Sequence, residues 1–152
     1  GMDLNRNWDR PAPFDLAPEN YALESWIQSM IDQGKPIHLA IDFHNDEGGN
    51  MHISRPNIQL DRYLSNMKIL EELMYKYTWF TEGPTGGDFH NAGTIGEGLL
   101  ERFGIDALVQ ELNCNWIAGL NKVPTGQDWE LLGEQYLKVF ESYFETFQKN
   151  PQ

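Results

Sequence analysis

The sequence is poor in cysteine. Cys114 stands alone, which excludes an intramolecular disulfide framework. A single thiol is compatible with a reducing compartment and so slightly favours the cytoplasm. Basic residues are also scarce. Eleven Lys and Arg face 23 Asp and Glu, a formal net charge of −12, so nucleic acid and anionic membranes are poor partners. No apolar run is long enough to span a bilayer. The polar start Met2-Asp3-Leu4-Asn5-Arg6 does not read as a signal peptide. There is no internal repeat and no low-complexity tract. Gly1 before Met2 reads as a remnant of tag removal and is set aside. What is present is a globular composition, 40% hydrophobic and 12% aromatic over 152 residues. That length suits about one domain, which buries roughly two thirds of its unfolded surface.

Asp3 to Pro18 carries prolines and little periodicity, and reads as loop. Pro18 to Gln33 is expected to be helical, since proline suits a first helical turn and Tyr21, Leu23, Trp26, Ile27, Met30 and Ile31 form an apolar stripe. Gly34 ends it. Pro36 to His44 is short and mostly apolar and reads as a buried strand. After a loop rich in Asp, Gly and Asn comes a second helix, Leu60 to Tyr77, with Tyr63, Leu64, Met67, Leu70, Leu73 and Met74 facing inward. Trp79-Phe80-Thr81 reads as a short strand, and Gly83 to Gly93 as a glycine-rich loop. Thr94 to Phe103 is a helix ended by Gly104, and Ile105 to Leu112 a fully buried strand. Thr125 caps a last helix that carries Trp129, Leu132, Tyr136, Val139, Phe140, Tyr143 and Phe147 at helical spacing. Strands alternating with helices imply an α/β fold. Ligands of such sheets gather at the carboxyl ends of strands, where His44 and Glu111 stand.

Four groups of residues could carry chemistry. Asn5-Arg6-Asn7-Trp8-Asp9 is a dense polar cluster on a loop. Arginine forks two parallel hydrogen bonds to a carboxylate and a neighbouring Asn adds a third, so Asn5 and Arg6 suit a free terminal carboxylate; a structural salt bridge is the plainer alternative. His44 leaves an apolar strand for a loop, where an imidazole ligates zinc through one nitrogen while the other is fixed by an acceptor, or simply bonds backbone at a strand edge. His44-Asn45-Asp46-Glu47 is also an HxxE sequence, with Asp42 and Asp46 as nearby acceptors and His52 and His90 as further imidazoles on loops; His38 is expected to pack. Glu111 ends an apolar strand, where a partly desolvated carboxylate suits general-base work, or pairs with an arginine such as Arg6 or Arg102. Cys114 is read as a packing residue rather than a nucleophile.

Taken together these residues resemble the zinc carboxypeptidases of the carboxypeptidase A type. Gly1 to Asp9 is similar to that family's G-x-D-x-N-R-N-[WF]-D segment, whose Asn and Arg bind the substrate's terminal carboxylate; the resemblance implies that role for Asn5 and Arg6. Ala40-Ile41-Asp42-Phe43-His44 resembles the strand ending in the third zinc ligand, which implies His44. Gly104 to Leu112 resembles the strand ending in the catalytic glutamate, which implies Glu111. The resemblance implies a partial three-layer fold, a central mixed sheet flanked by helices, with residues 1–152 forming a single domain, the C-terminal portion of a carboxypeptidase-like catalytic domain. The family's H-x-x-E zinc motif and a further substrate-binding arginine precede the N-R-N-W segment and have no counterpart here. The family's substrate-covering tyrosine is also missing; Asp88-Phe89-His90-Asn91 occupies its region, and His90 is the candidate substrate-binding substitute. The implied function is zinc-dependent hydrolysis of a peptide or small amide next to a free carboxylate. The zinc site is incomplete in this chain, which is expected to bind zinc weakly and to be nearly inactive alone. The alternative is a non-catalytic module that binds peptide C-termini. Missing upstream strands would leave an exposed sheet edge through which the chain self-associates.

Overall fold

The computed structural model of the chain describes residues 3–83 and 93–149, with the side chains of 147–149 left aside. The order of elements is α1 (Pro18–Asp32), β1 (Leu39–Asp46), β2 (Met51–His52), α2 (Leu60–Tyr77), α3 (Ile95–Phe103), β3 (Asp106–Asn113) and α4 (Gly126–Lys149). The sheet runs β1-β3-β2. β1 lies parallel to β3 and β2 antiparallel to it, so the sheet is mixed.

Side chains on a strand alternate between faces, and β3 divides its own accordingly. Leu108 packs with Tyr63, Leu70, Leu132, Tyr136 and Val139 from α2 and α4. Ala107 packs on the other face with Trp8, Ile27 and Leu99, which come from the N-terminal segment, α1 and α3. The result is the expected α/β arrangement of helices on both faces of a mixed sheet. Fully burying one of these large side chains contributes roughly 1.5–3 kcal/mol, so the strand is held from both sides.

Several boundaries match their sequence signals. α1 begins at Pro18, and α3 ends at Gly104, whose φ of 71° is the left-handed conformation glycine tolerates. There Gly104 N–H donates to the Leu100 carbonyl and Ile105 N–H to that of Leu99. At the start of α4 Thr125 stands where the cap was expected, but the bonding runs the other way from a capping threonine: it donates both its N–H and its hydroxyl to Asp128 Oδ2, each at 2.7 Å. Lys122 and these Thr125 bonds draw the Asp128 carboxyl down to about 2.

Other expectations need correction. Trp79-Phe80-Thr81 is not a strand; the third strand of the sheet is β2, only two residues long and embedded in a polar loop. The inner face of α1 carries Asn20, Glu24 and Ile27, while Tyr21, Leu23 and Trp26 are exposed. The reason is polar: Asn20 Nδ2 donates to the Leu4 carbonyl at 2.8 Å, and Glu24 receives two bonds from Arg102, at 2.6 and 3.0 Å. His38 precedes β1 and is exposed rather than packed, and Cys114 is exposed rather than buried. Residues 84–92, with Phe89 and His90, expected to be loop, and the side chain of Phe147 lie outside the described residues. Among the described residues no helix is long and apolar enough to cross a membrane.

Candidate functional site

The parallel register pairs His44 with Glu111 at the carboxyl ends of β1 and β3. Alternation puts Asp42, His44 and Asp46 on one face of β1, and Val109 and Glu111 on the same face of β3. On the far side of β3, His52 of β2 stands opposite Val109. It is thus a diagonal neighbour of Glu111 on the same face, and its Nε2 lies 3.6 Å from Glu111 Oε1.

The N-terminal segment closes this face from above. Trp8 is 2% exposed; its indole N–H donates to the Leu4 carbonyl and its backbone N–H to that of Gly93. Asn5 is fixed from two sides. Its Oδ1 accepts the N–H of Ile95, the first residue of α3, at 3.1 Å, and its Nδ2 lies 3.3 Å from His44 Nε2. The bond to Ile95 satisfies one of the N–H groups that a helix start leaves open, where Thr94 makes no side-chain cap. Arg6 follows with its side chain half exposed, its Nη1 donating to the Asn5 carbonyl at 2.7 Å and lying 4.0 Å from Asp3 Oδ2.

Three segments far apart in sequence therefore meet. Asn5, Arg6, His44, His52 and Glu111 line one open cleft of about 380 Å³, with Arg6 as its permanent cation. Glu111 is largely buried, its side chain 14% exposed, and its Oε2 is buried with no hydrogen-bond partner. His44 Nε2 also lies 2.9 Å from Asp42 Oδ2. One ring nitrogen cannot donate to Asp42 and accept from Asn5 at once, so these two bonds belong to alternative tautomers.

The sequence matches no family model and no curated protein. A solved structure does resemble the chain: the crystal structure of a metallo-carboxypeptidase from Burkholderia cenocepacia superimposes with a TM-score of 0.71 over 97% of this chain, at 19% identity. The fold is similar to that of a metallo-carboxypeptidase. The likeness is one of fold, and this chain spans 39% of the length of that metallo-carboxypeptidase chain.

A metallo-carboxypeptidase fold raises the question of a metal, and the donors answer it unevenly. His44, the ligand implied by resemblance, faces the cleft. Yet among the described residues the group of three metal-competent donors within 4.8 Å of one another is Asp46, His52 and Glu111. It does not include His44, and Glu47 of the HxxE sequence is exposed and outside it. The described residues thus do not complete a zinc site around His44. Sequence reasoning singled out His52 only as a loop imidazole, because a two-residue strand leaves no periodic signal. Ser54 and Thr94 also line the cleft, and no sequence signal marks them.

Proposed function

We propose that this chain supplies the carboxylate-anchoring and proton-accepting part of a metallo-carboxypeptidase-type site, acting on a peptide or small amide with a free terminal carboxylate. The observation that carries this reading is the convergence of Asn5, Arg6, His44 and Glu111, from three separated segments, on one cleft at the carboxyl ends of parallel strands.

The chemistry follows from the donors. Arg6 is held through Nη1 by the Asn5 carbonyl and has further N–H groups for a two-pronged bond to a carboxylate. Asn5 has one amide hydrogen directed at His44 and a second for the same substrate group. Glu111 is the proton acceptor of the cleft: its unbonded Oε2 is desolvated, and a carboxylate in that state takes a proton from a polarised hydroxyl or water within reach. In the tautomer whose Nε2 carries the proton, Asp42 instead of Asn5 fixes the ring of His44. The expectation that His90 contacts substrate stands beside these roles and rests on the resemblance alone. A zinc at His44, as the resemblance implies, needs donors that the described residues do not bring to it, so hydrolysis by this chain alone is expected to be close to background.

The same shortfall favours the second reading, a module that binds peptide C-termini without cleaving them. Fluorescence anisotropy with a labelled short peptide separates the possibilities. A free-acid peptide is expected to bind, its C-terminal amide to bind at least tenfold more weakly, and Arg6→Ala to lose a comparable amount, about 1.4 kcal/mol or more. Equal binding of acid and amide would sink both readings. Turnover of the free-acid peptide that disappears in Glu111→Gln would favour the peptidase over the module.

A further inference from the structure

Glu111 presents an unresolved charge. One oxygen, Oε1, faces His52 Nε2 at 3.6 Å, and the other, Oε2, is buried without a hydrogen-bond partner. A desolvated carboxylate oxygen with no donor is costly, and a cation removes that cost. Arg6 is engaged at the cleft mouth with the Asn5 carbonyl, so no arginine of the cleft is bonded to Glu111.

Asp46 completes the surroundings. It ends β1, and its Oδ1 accepts the backbone N–H groups of Gly48 and Gly49, at 2.8 and 2.6 Å. Those bonds fix the carboxylate and leave acceptor capacity on it. Gly49 is itself pressed against β3: its φ is 73°, and a side chain there would meet Asn113 Cβ at 2.7 Å. The turn that orients Asp46 is therefore locked by a close backbone approach that glycine alone allows.

We propose that Asp46, His52 and Glu111 form a binding site for a divalent transition-metal cation, distinct from any site built on His44. The three residues come from β1, β2 and β3, and one ligand atom from each lies within 4.8 Å of the others. Around a tetrahedral zinc with bonds of about 2.0–2.1 Å the donors lie about 3.4 Å apart; His52 Nε2 and Glu111 Oε1 stand at 3.6 Å, so binding draws the donors slightly inward. One imidazole nitrogen with two carboxylate oxygens selects a borderline ion such as zinc over calcium, which takes oxygen donors. Two carboxylates balance the ion's charge; with the cation bound Glu111 is a ligand, so its proton-accepting role belongs to the metal-free cleft. The site deepens the reading of the cleft given above but depends on neither Arg6 nor His44, so peptide binding and cation binding fail independently.

Calorimetric titration with zinc at neutral pH tests it on the full chain. The expected result is saturable binding near one equivalent with Kd at or below about 100 µM, at least tenfold tighter than calcium under the same conditions. Glu111→Gln and Asp46→Asn, which keep side-chain shape, are each expected to weaken zinc at least tenfold, and His44→Ala to change it less than twofold. Circular dichroism of each variant checks that it is folded, and His52→Gln, on a third element, is likewise expected to weaken zinc at least tenfold. Absence of saturable binding, equal affinity for calcium, or loss of binding in His44→Ala with retention in Asp46→Asn would each overturn the proposal.

Discussion

At the scale of single residues, the buried ion pair between Arg62 and Asp106 shows how environment outweighs residue type. Asp106 opens β3 and is 2% exposed; it meets Arg62 at 3.0 Å and Asn66 at 2.6 Å. Burial nonetheless pushes its carboxyl above the ordinary value, against the pull of Asn66 and Arg62. A raised value in the folded state means that the fold holds the proton more tightly than the unfolded chain does. Its contribution to stability is therefore complete at acid pH and is lost as pH rises through the raised value. Arg62→Ala leaves the carboxylate uncompensated, and is expected to cost about 3 kcal/mol at pH 7. The cost should shrink as pH falls and Asp106 takes up a proton. Urea unfolding of the variant and the parent at pH 7 and pH 5 measures it; a pH-independent difference would contradict the account.

The elements are set by a few close approaches. α3 sits against the N-terminal segment because Gly98 admits the main chain of Trp8: a Cβ there would meet the Trp8 carbonyl oxygen at 2.5 Å and its carbon at 2.7 Å. In an exposed helix interior, Gly→Ala stabilises by roughly 1 kcal/mol. Here Gly98→Ala is expected to destabilise by about 1–3 kcal/mol through overpacking. The displaced segment carries Asn5 and Arg6, so the substitution should also weaken binding of a free-acid peptide several-fold, although residue 98 does not line the cleft. Thermal unfolding and peptide titration of the one variant test both halves. Much at this scale was legible in the sequence. The long helices announced themselves through Met67, Leu70 and Met74 or Leu132, Tyr136 and Val139, because a helix face repeats often enough to be read. β2 did not, because Met51 and His52 are too few to alternate. The face of α1 was misread because Asn20 and Glu24 turn inward to polar partners, which apolar periodicity does not register.

On the scale of the whole molecule, β1 is an end strand of the sheet. Its outer side opens on an apolar groove lined by Leu23, Trp26, Leu39 and Ile41, and Trp26 is 53% exposed. An unpaired edge beside apolar surface invites pairing with another chain, while a net charge of −12 opposes it. Self-association is therefore expected to strengthen with salt, which screens repulsion beyond roughly 10 Å at 0.1 M. Trp26→Glu should weaken it at least tenfold. Sedimentation velocity over a range of concentration and salt decides; a monomer under all of these conditions would refute the expectation.

Chemistry-bearing residues and the elements that carry them were determined by the sequence itself: Asn5 and Arg6 in a polar loop, His44 and Glu111 at the ends of apolar strands, and helices between. These features are local, because spacing and residue type act within a few turns of chain. Only the tertiary structure decided which of those residues meet. The parallel register of β1 and β3 set His44 beside Glu111, Trp8 and Asn5 fixed the loop over them, and a two-residue strand brought His52 to Glu111 while His44 turned to Asp42. Register and loop closure depend on contacts between residues tens of positions apart, and no local pattern encodes them.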